Sequence, residues 1–443
     1  MDMATIEPTL PGGFKDYLPE DMIPRQKMLD TIRKTFELFG FVPLDTPGIE
    51  KTEILTGGDP EFKKQIYRIA SEKGDDELAL RFDLTVPLAR VVAANAGTIR
   101  RPFKRYQMGK VWRGERQQAG RFREFMQCDA DIVGTESVAA DAEIIALINT
   151  VMRALGFKRF LIKINNRKIL NCLAEYAKFD DKKLPAILRS LDKLDKQEWS
   201  DVEKELIEIG ITPEAINAIK NFINVKESKS RAKLTALREL LVGIKDAEEG
   251  IKELEVIASY LDALGVSEES WTFDFSVARG LGYYTGPVFE TTLLDLPKIG
   301  SVFSGGRYDD LVARFGTITI PATGASIGID RLFAAMEKLN LIKQEKTTAQ
   351  VIVLNFDESC ATSTSYTVAT LRSANIPAEL YFGSEKNMKG QLAYAVNEEI
   401  PVTIIIGGNE KEKGTAMVKD MRKRTQIEVP QKEIVQKIKE ILQ

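Results

Sequence analysis

Residues 278–290, Ala-Arg-Gly-Leu-Gly-Tyr-Tyr-Thr-Gly-Pro-Val-Phe-Glu, constrain the fold more than any other stretch of this chain. The segment ends in β-forming residues and packs one cation and two adjacent phenols among small and turn-forming residues. On an unbroken strand neighbouring side chains point to opposite faces, so Tyr283 and Tyr284 cannot both face one core, and Arg279 shares the face of Tyr283. Gly280, Gly282 and Gly286 predict a break, or a place where a ligand lies against the backbone.

The chain has 443 residues, too many for one ordinary core, which predicts two to four domains. It is 44% hydrophobic and 29% charged, the balance of a soluble globular protein. No apolar run is long enough to span a membrane, and no charged-then-apolar leader precedes Leu10, so a cytosolic protein without membrane partners is expected. Cys128, Cys172 and Cys360 are far apart and form no CxxC pair, so neither a disulfide framework nor a thiolate metal site is indicated. Histidine is absent altogether. That removes imidazole as base, nucleophile partner or metal ligand. With a net charge of −3, any nucleic acid would have to be held by local basic patches.

Residues 21–39 carry Met28, Ile32, Phe36 and Phe39 at helical spacing, and Phe41–Pro47 follows as a strand whose prolines suit a sheet edge. Strand then helix is expected over 80–92, two strands with a polar Arg-rich connection over 103–133, and an amphipathic helix over 138–155. From Asn166 to about Gly250 the chain is helical in pattern and lysine-rich, and strand character returns over 271–332. Beyond the polar linker Lys343–Thr348, strands at 350–356, 377–382 and 402–406 alternate with helices at 362–374 and 386–397, the pattern of a small α/β domain. The divisions are 1–165, 166–255, 256–342 and 343–443.

Arg113, Arg116, Arg121 and Arg123 crowd one short inter-strand loop with Glu115 and Phe125. Arginines so close repel one another unless an anion sits between them, and their planar forks match phosphate oxygens. Gly324-Ala-Ser-Ile-Gly-Ile-Asp-Arg331 reads as a strand–helix junction where backbone can approach a nucleotide and Arg331 can meet a phosphate. Arg81–Thr85 alternates, placing Asp83 and Thr85 on one face; Gln127 and Asp131 likewise share a strand face. A carboxylate at Asp83 suits a substrate ammonium.

These segments resemble a family. Arg279-Gly-Leu-Gly-Tyr-Tyr-Thr-Gly286 and Ser304-Gly-Gly-Arg-Tyr308-Asp are similar to the two signatures of histidyl-tRNA synthetases. The 41–47, 113–125 and 324–331 segments resemble motifs 1, 2 and 3 of class II synthetases. Asn165-Asn-Arg-Lys and Leu191-Asp-Lys-Leu-Asp-Lys are similar to the family's insertion domain.

The resemblance implies an α+β fold: a class II antiparallel sheet with flanking helices, a helical insertion, and a C-terminal α/β anticodon-binding domain. It implies a homodimeric ligase using ATP with Mg²⁺, histidine and histidine tRNA. It puts Arg113 and Arg279 on the α-phosphate, Glu115 and Phe125 on adenine, and Arg121, Arg123 and Arg331 among the phosphates. Asp83, Thr85 and Gln127 fall at the amino-acid backbone end, Asp131 and Tyr284 on the imidazole, and Tyr283 and Tyr308 in the same pocket. Arg116 and Gln118 fall where the 5′ end of the tRNA is read, and Lys411–Arg424 supplies a further basic run. Gly282 departs from the family, where many members carry Asp; Met126 and Gly114 stand where some carry His. Two relatives with other functions share much of this pattern: a regulatory subunit of ATP phosphoribosyltransferase, which usually lacks the C-terminal domain, and an uncharged-tRNA sensing module.

Overall fold

The computed structural model describes residues 6–57, 65–70, 77–114, 122–195, 197–225, 227, 229–278 and 283–443. The chain packs into two compact units, residues 1–15 with 28–341 and residues 16–27 with 342–443. Among the described residues no helix is long and apolar enough to cross a membrane.

The strands of the first unit are β1 (Val42–Pro43), β2 (Ile49–Lys51), β3 (Arg68–Ile69), β4 (Leu78–Leu80), β5 (Phe103–Trp112), β6 (Glu124–Val133), β7 (Phe160–Asn166), β8 (Trp271–Phe273), β9 (Pro287–Leu293), β10 (Phe303–Arg307) and β11 (Ala322–Gly328). Eight of them form one sheet in the order β1-β5-β6-β11-β10-β9-β7-β8. Its interior pairings are antiparallel, and only the outermost pairs, β1 with β5 and β7 with β8, are parallel. The proline-bearing β1 occupies an edge, where a missing N–H costs no ladder bond. β2, β4 and β3 make a small separate sheet.

Buried Ile144, Ile145, Leu147, Ile148, Val151 and Met152 give the Ala139–Ala154 helix an apolar face. Between β7 and β8 the described residues form a succession of helices from Arg167 to Ala263, as the helical pattern predicts. This segment packs within the first unit, its long Lys245–Ala263 helix touching the Ala139–Ala154 helix.

The second unit holds β12 (Val351–Val353), β13 (Ala378–Leu380), β14 (Val402–Ile405), β15 (Thr415–Asp420) and β16 (Thr425–Pro430), in the order β13-β12-β14-β15-β16. The first three are parallel, and the Ala361–Ser373 and Met388–Asn397 helices connect them. Val353 and Val368 belong to one buried cluster while Leu354 and Ala395 belong to another, so the two helices cover opposite sheet faces. The β15–β16 hairpin and the Ile434–Leu442 helix extend beyond the alternation read from sequence, and the basic run 411–424 spans the Gly408–Lys413 helix and β15. Parts of that run are neutralised locally, with Lys413 by Glu428 (3.6 Å) and Arg422 by Asp420 (3.5 Å).

Candidate functional site

The ladder registers of the large sheet set out the site. Arg105 on β5 stands opposite Asp131 on β6, which stands opposite Gly324 on β11, then Gly306 on β10 and Val288 on β9. One step along, Gln107, Asp129, Ser326, Ser304 and Glu290 make a second row on the same face. Polar side chains thus line a sheet face that carries glycine at its middle. Those glycines are required by crowding. A Cβ at Gly324 would overlap the Asp131 carboxylate and the Ala130 carbonyl, and one at Gly306 would press on the Tyr284 ring and the Pro287 carbonyl.

Over this face lies a cavity of about 350 Å³. Its lining includes Asp83, Thr85, Arg113, Gln127, Asp131, Tyr283, Tyr284 and Tyr308, all singled out from sequence. It also includes Asp129, Ser326 and Asp192. Asp129 follows from the same period of two that links Gln127 with Asp131, and Asp192 comes from the helical segment between β7 and β8. Arg105 carried no local signal, because its place beneath Asp131 depends on strand pairing.

Two local readings are corrected. Residues 81–84 are not a strand: β4 ends at Leu80 and a helix begins at Thr85. Asp83 precedes that helix, and its Oδ1 accepts the Val86 N–H at 3.1 Å, satisfying a donor of the first turn. Phe82 is buried with Leu55, Ile66, Ala79 and Val86, which aims the chain correctly without alternation. Likewise Tyr283 and Tyr284 lie in a turn before β9 and not on a strand. Both rings therefore meet the same cavity, edge to face at 5.0 Å, with Tyr308 5.9 Å from Tyr283. The described residues on either side of 279–282 are held in place. Asn165 donates to the carbonyls of Phe275 (3.3 Å) and Val277 (2.9 Å), and Thr285 donates to Asp309 (2.7 Å).

Asp131 is, of the three carboxylates Asp83, Asp129 and Asp131, the one that meets both a phenol and a cation. Its Oδ1 accepts the Tyr308 phenol at 2.5 Å. Its Oδ2 lies 2.8 Å from Arg105 Nη2, a charge contact without hydrogen-bond alignment, since that nitrogen donates to the Leu84 carbonyl at 3.2 Å. Arg105 is wholly buried, and its Nε and Nη1 find no hydrogen-bond partner among the described residues. Burial pushes the Asp131 pKa up, against the opposing pull of Arg105 and Tyr308. Burial likewise pushes Asp83 up to about 6 and Asp129 up to about 7. In Asp129 the Arg105 charge works against burial and the Asp131 charge works with it. The Tyr283, Tyr284 and Tyr308 phenols are all raised, mainly by burial, and stay protonated donors.

Arg113, at the mouth of the β5–β6 connection, donates from Nε to the Phe82 carbonyl at 3.0 Å and stacks over Phe125 at 5.1 Å. Its remaining nitrogens extend a cation into the cavity lining. Arg123 is held by the Gly12 carbonyl at 3.3 Å, and Arg331, in the first turn of the Ile329–Lys338 helix, by the Ser301 carbonyl at 2.5 Å. Neither belongs to the cavity lining. Asp330 beside Arg331 accepts the Met126 N–H at 2.9 Å, joining the start of β6 to the helix that follows β11. Glu115, Arg116, Gln118, Arg121 and Arg279 lie outside the described residues.

The arrangement is a mostly anionic pocket with phenol donors at one side and an arginine at its rim. It suits a small cationic molecule whose carboxylate is turned toward Arg113.

Comparison with known proteins agrees with this geometry. Residues 13–332 match the family model described as histidyl-tRNA synthetase, and residues 349–441 match that of an anticodon binding domain. A histidine–tRNA ligase of Wolinella succinogenes is 44% identical over 426 residues, 95% of each chain. One from Clostridium tetani is 42% identical over 444 residues, covering 99% of this chain and 100% of its own. The histidyl-tRNA synthetase structure from Nostoc sp. PCC 7120 superposes with a TM-score of 0.88 at 32% identity, over 98% of this chain and 100% of that one. Catalytic region, anticodon-binding region and fold all coincide, and the chain belongs to the histidyl-tRNA synthetase family.

Proposed function

We propose that the chain is a histidine–tRNA ligase. The observation that carries this reading is the convergence of Asp83, Thr85, Gln127, Asp131, Tyr283, Tyr284 and Tyr308 on one cavity with Arg113 at its rim. The histidine carboxylate attacks the α-phosphorus of ATP; an oxygen–phosphorus bond forms, the α–β bridge breaks, and pyrophosphate leaves. A hydroxyl of the tRNA's terminal adenosine then attacks the acyl carbon, and AMP departs. Neither step needs a protein base, in keeping with a chain that has no histidine.

Arg113 and Arg279 stabilise the charge that builds on the α-phosphate from two sides, and the Phe125 ring beneath Arg113 offers a face for adenine. Arg121, Arg123, Glu115 and Arg331 complete the nucleotide site. Among the described residues no group of three or more acidic or thiol side chains could cage a metal. Mg²⁺ enters with the ATP phosphates, as part of the substrate.

Asp83, Thr85 and Gln127 hold the amino-acid backbone end. Tyr284 and Asp131 address the ring nitrogens. The Asp131 oxygens have second lone pairs beyond those used by Tyr308 and Arg105. A pocket of buried polar groups rejects amino acids that leave them unpaired. Residues 166–255 act as an insertion beside the site, and residues 343–443 bind the anticodon. Arg116 and Gln118 read the 5′ end of the tRNA. Exposed Leu38, Val42 and Ile49, on the first helix and the strands that follow, supply apolar surface for a homodimer in the cytoplasm.

The test is charging of a histidine tRNA transcript with labelled histidine in the presence of Mg·ATP. Acid-labile histidyl-tRNA is expected, and its formation should fall when the extra 5′ nucleotide is removed. No charging by the folded protein rejects the reading.

A further inference from the structure

The cavity contains more acceptor capacity than the residues assigned to histidine use. Four buried oxygens of its lining residues have no hydrogen-bond partner among the described residues: Asp83 Oδ2, Gln127 Oε1, Asp129 Oδ1 and Asp131 Oδ2, the last in charge contact with Arg105. Each parent side chain is otherwise fixed. Asp83 Oδ1 is occupied by Val86 N–H, and Gln127 Nε2 donates to Ser326 Oγ at 2.6 Å. Ser326 in turn hydrogen-bonds Asp129. A primary ammonium has three N–H donors. Of the two β6 carboxylates, Asp131 accepts the Tyr308 phenol and lies against the Arg105 charge, while Asp129, 2% exposed, has no ion pair among the described residues and leaves one oxygen open. We propose that Asp129 is a specificity-determining contact to the α-ammonium group of the substrate, and that it gives up a proton when that group binds.

This rests on the reading of the cavity as a histidine site, and it adds a residue to it. Around Asp129 stand Arg105 and Gln107 on β5, Asp131 on its own strand, Ser326 on β11, and Arg81 and Asp83 on the segment preceding the Thr85–Ala94 helix. Arg105 touches Asp131, and Arg81 and Arg105 act on Asp129 through their charge without an ion pair among the described residues. Two further carboxylates, Asp83 and Asp129, face the cavity without an ion pair among the described residues. Without substrate, burial beside Asp131 and Asp83 favours the protonated form of Asp129. An arriving ammonium reverses that balance: it stays protonated, the carboxyl proton leaves to solvent, and the ion pair forms on a buried carboxylate.

Calorimetry of histidine binding between pH 6 and 8, in buffers of differing ionisation enthalpy, reads the proton directly. For the wild-type chain a net proton release is expected, largest at the acid end of this range and falling as pH rises through about 7. Asp129→Asn should abolish most of that release and weaken histidine about 10- to 100-fold, the cost of one buried polar mismatch. The des-amino analogue 3-(imidazol-4-yl)propanoate, read as an inhibitor of pyrophosphate exchange, should lose less than about 3-fold. Asp129→Glu, which retains a carboxylate, should keep the proton release. Binding by the wild-type chain with no proton exchanged overturns the proposal whatever the variants do. So does an Asp129→Asn protein that loses both ligands equally. A wild-type chain that binds no histidine at all overturns the functional reading itself, a separate and recognisable failure.

Discussion

The phenol of Tyr308, the residue after β10, donates to Asp131 on β6 across 2.5 Å, over the glycine of the strand that lies between β10 and β6. The bond exists because Gly324 has no side chain, and it holds the Asp131 carboxylate at one wall of the pocket. Tyr308→Phe should leave that carboxylate buried and short of a donor, lowering histidine affinity by about 1–3 kcal/mol with ATP affinity unchanged. Asp131→Asn should act in the same direction. Because the residues share one bond, the double variant should cost less than the sum, a coupling readable by calorimetry on all four proteins.

Gly324→Ala introduces a methyl where the Asp131 carboxylate and the Ala130 carbonyl now sit. Two backbones and a buried ion pair cannot all move aside. Loss of histidine binding is expected together with about 1–3 kcal/mol of stability, measured by urea unfolding. Unchanged affinity would mean that Asp131 is not held as described.

Much of this site was legible in the sequence, and what was missed has a physical pattern. Of the cavity residues, Arg113 and the tyrosine pair stand out by local composition, whereas Asp83, Gln127, Asp131 and Tyr308 are brought together by resemblance to the family's motifs. Their local geometry was misread twice. Alternation at 81–85 and 283–284 mimics a strand, yet the first is the lead-in to a helix and the second a turn. Arg105 was invisible because it matters only through its register with Asp131, which no local pattern encodes. Asp129 was within reach, two residues from each of its recognised neighbours on one strand face.

The raised carboxylates make stability depend on pH with a definite sign. Asp129 titrates at about 7 in the folded chain against 3.8 when unperturbed, so the folded state holds its proton longer than the unfolded state does. Its burial costs nothing below about pH 4, and the cost grows as pH rises to about 7. Unliganded Asp129→Asn should therefore match the wild type near pH 4.5 and exceed it at pH 8, by up to about 4 kcal/mol as an upper bound. Thermal melts of the two proteins across that range check the direction. Histidine should raise the wild-type melting temperature more at pH 8 than at pH 5.5.

On the opposite face of the sheet, buried Arg307 donates to Asp141 at 2.5 Å and to the carbonyls of Thr135 and Ser137 at 3.0 Å each. The pair fixes the end of β10 immediately before Tyr308. Asp141→Ala strands a buried guanidinium and should cost about 3–5 kcal/mol. Replacing both partners with apolar residues should cost less. Urea unfolding of the single and double variants distinguishes these outcomes.

Arg279 belongs to the signature segment and serves the α-phosphate opposite Arg113 in the proposed reaction. Arg279→Ala should lower adenylate formation by about 10²- to 10³-fold or more while histidine affinity falls far less, since its cation is needed where charge develops. Single-turnover kinetics separates the two effects.

The most direct test of the central claim, that this cavity activates histidine, is ATP–pyrophosphate exchange by the purified full chain with each standard amino acid in turn. Exchange with histidine alone, abolished by Arg113→Ala and weakened by Tyr308→Phe, is the predicted result. Exchange with a different amino acid, or none with histidine, would contradict it.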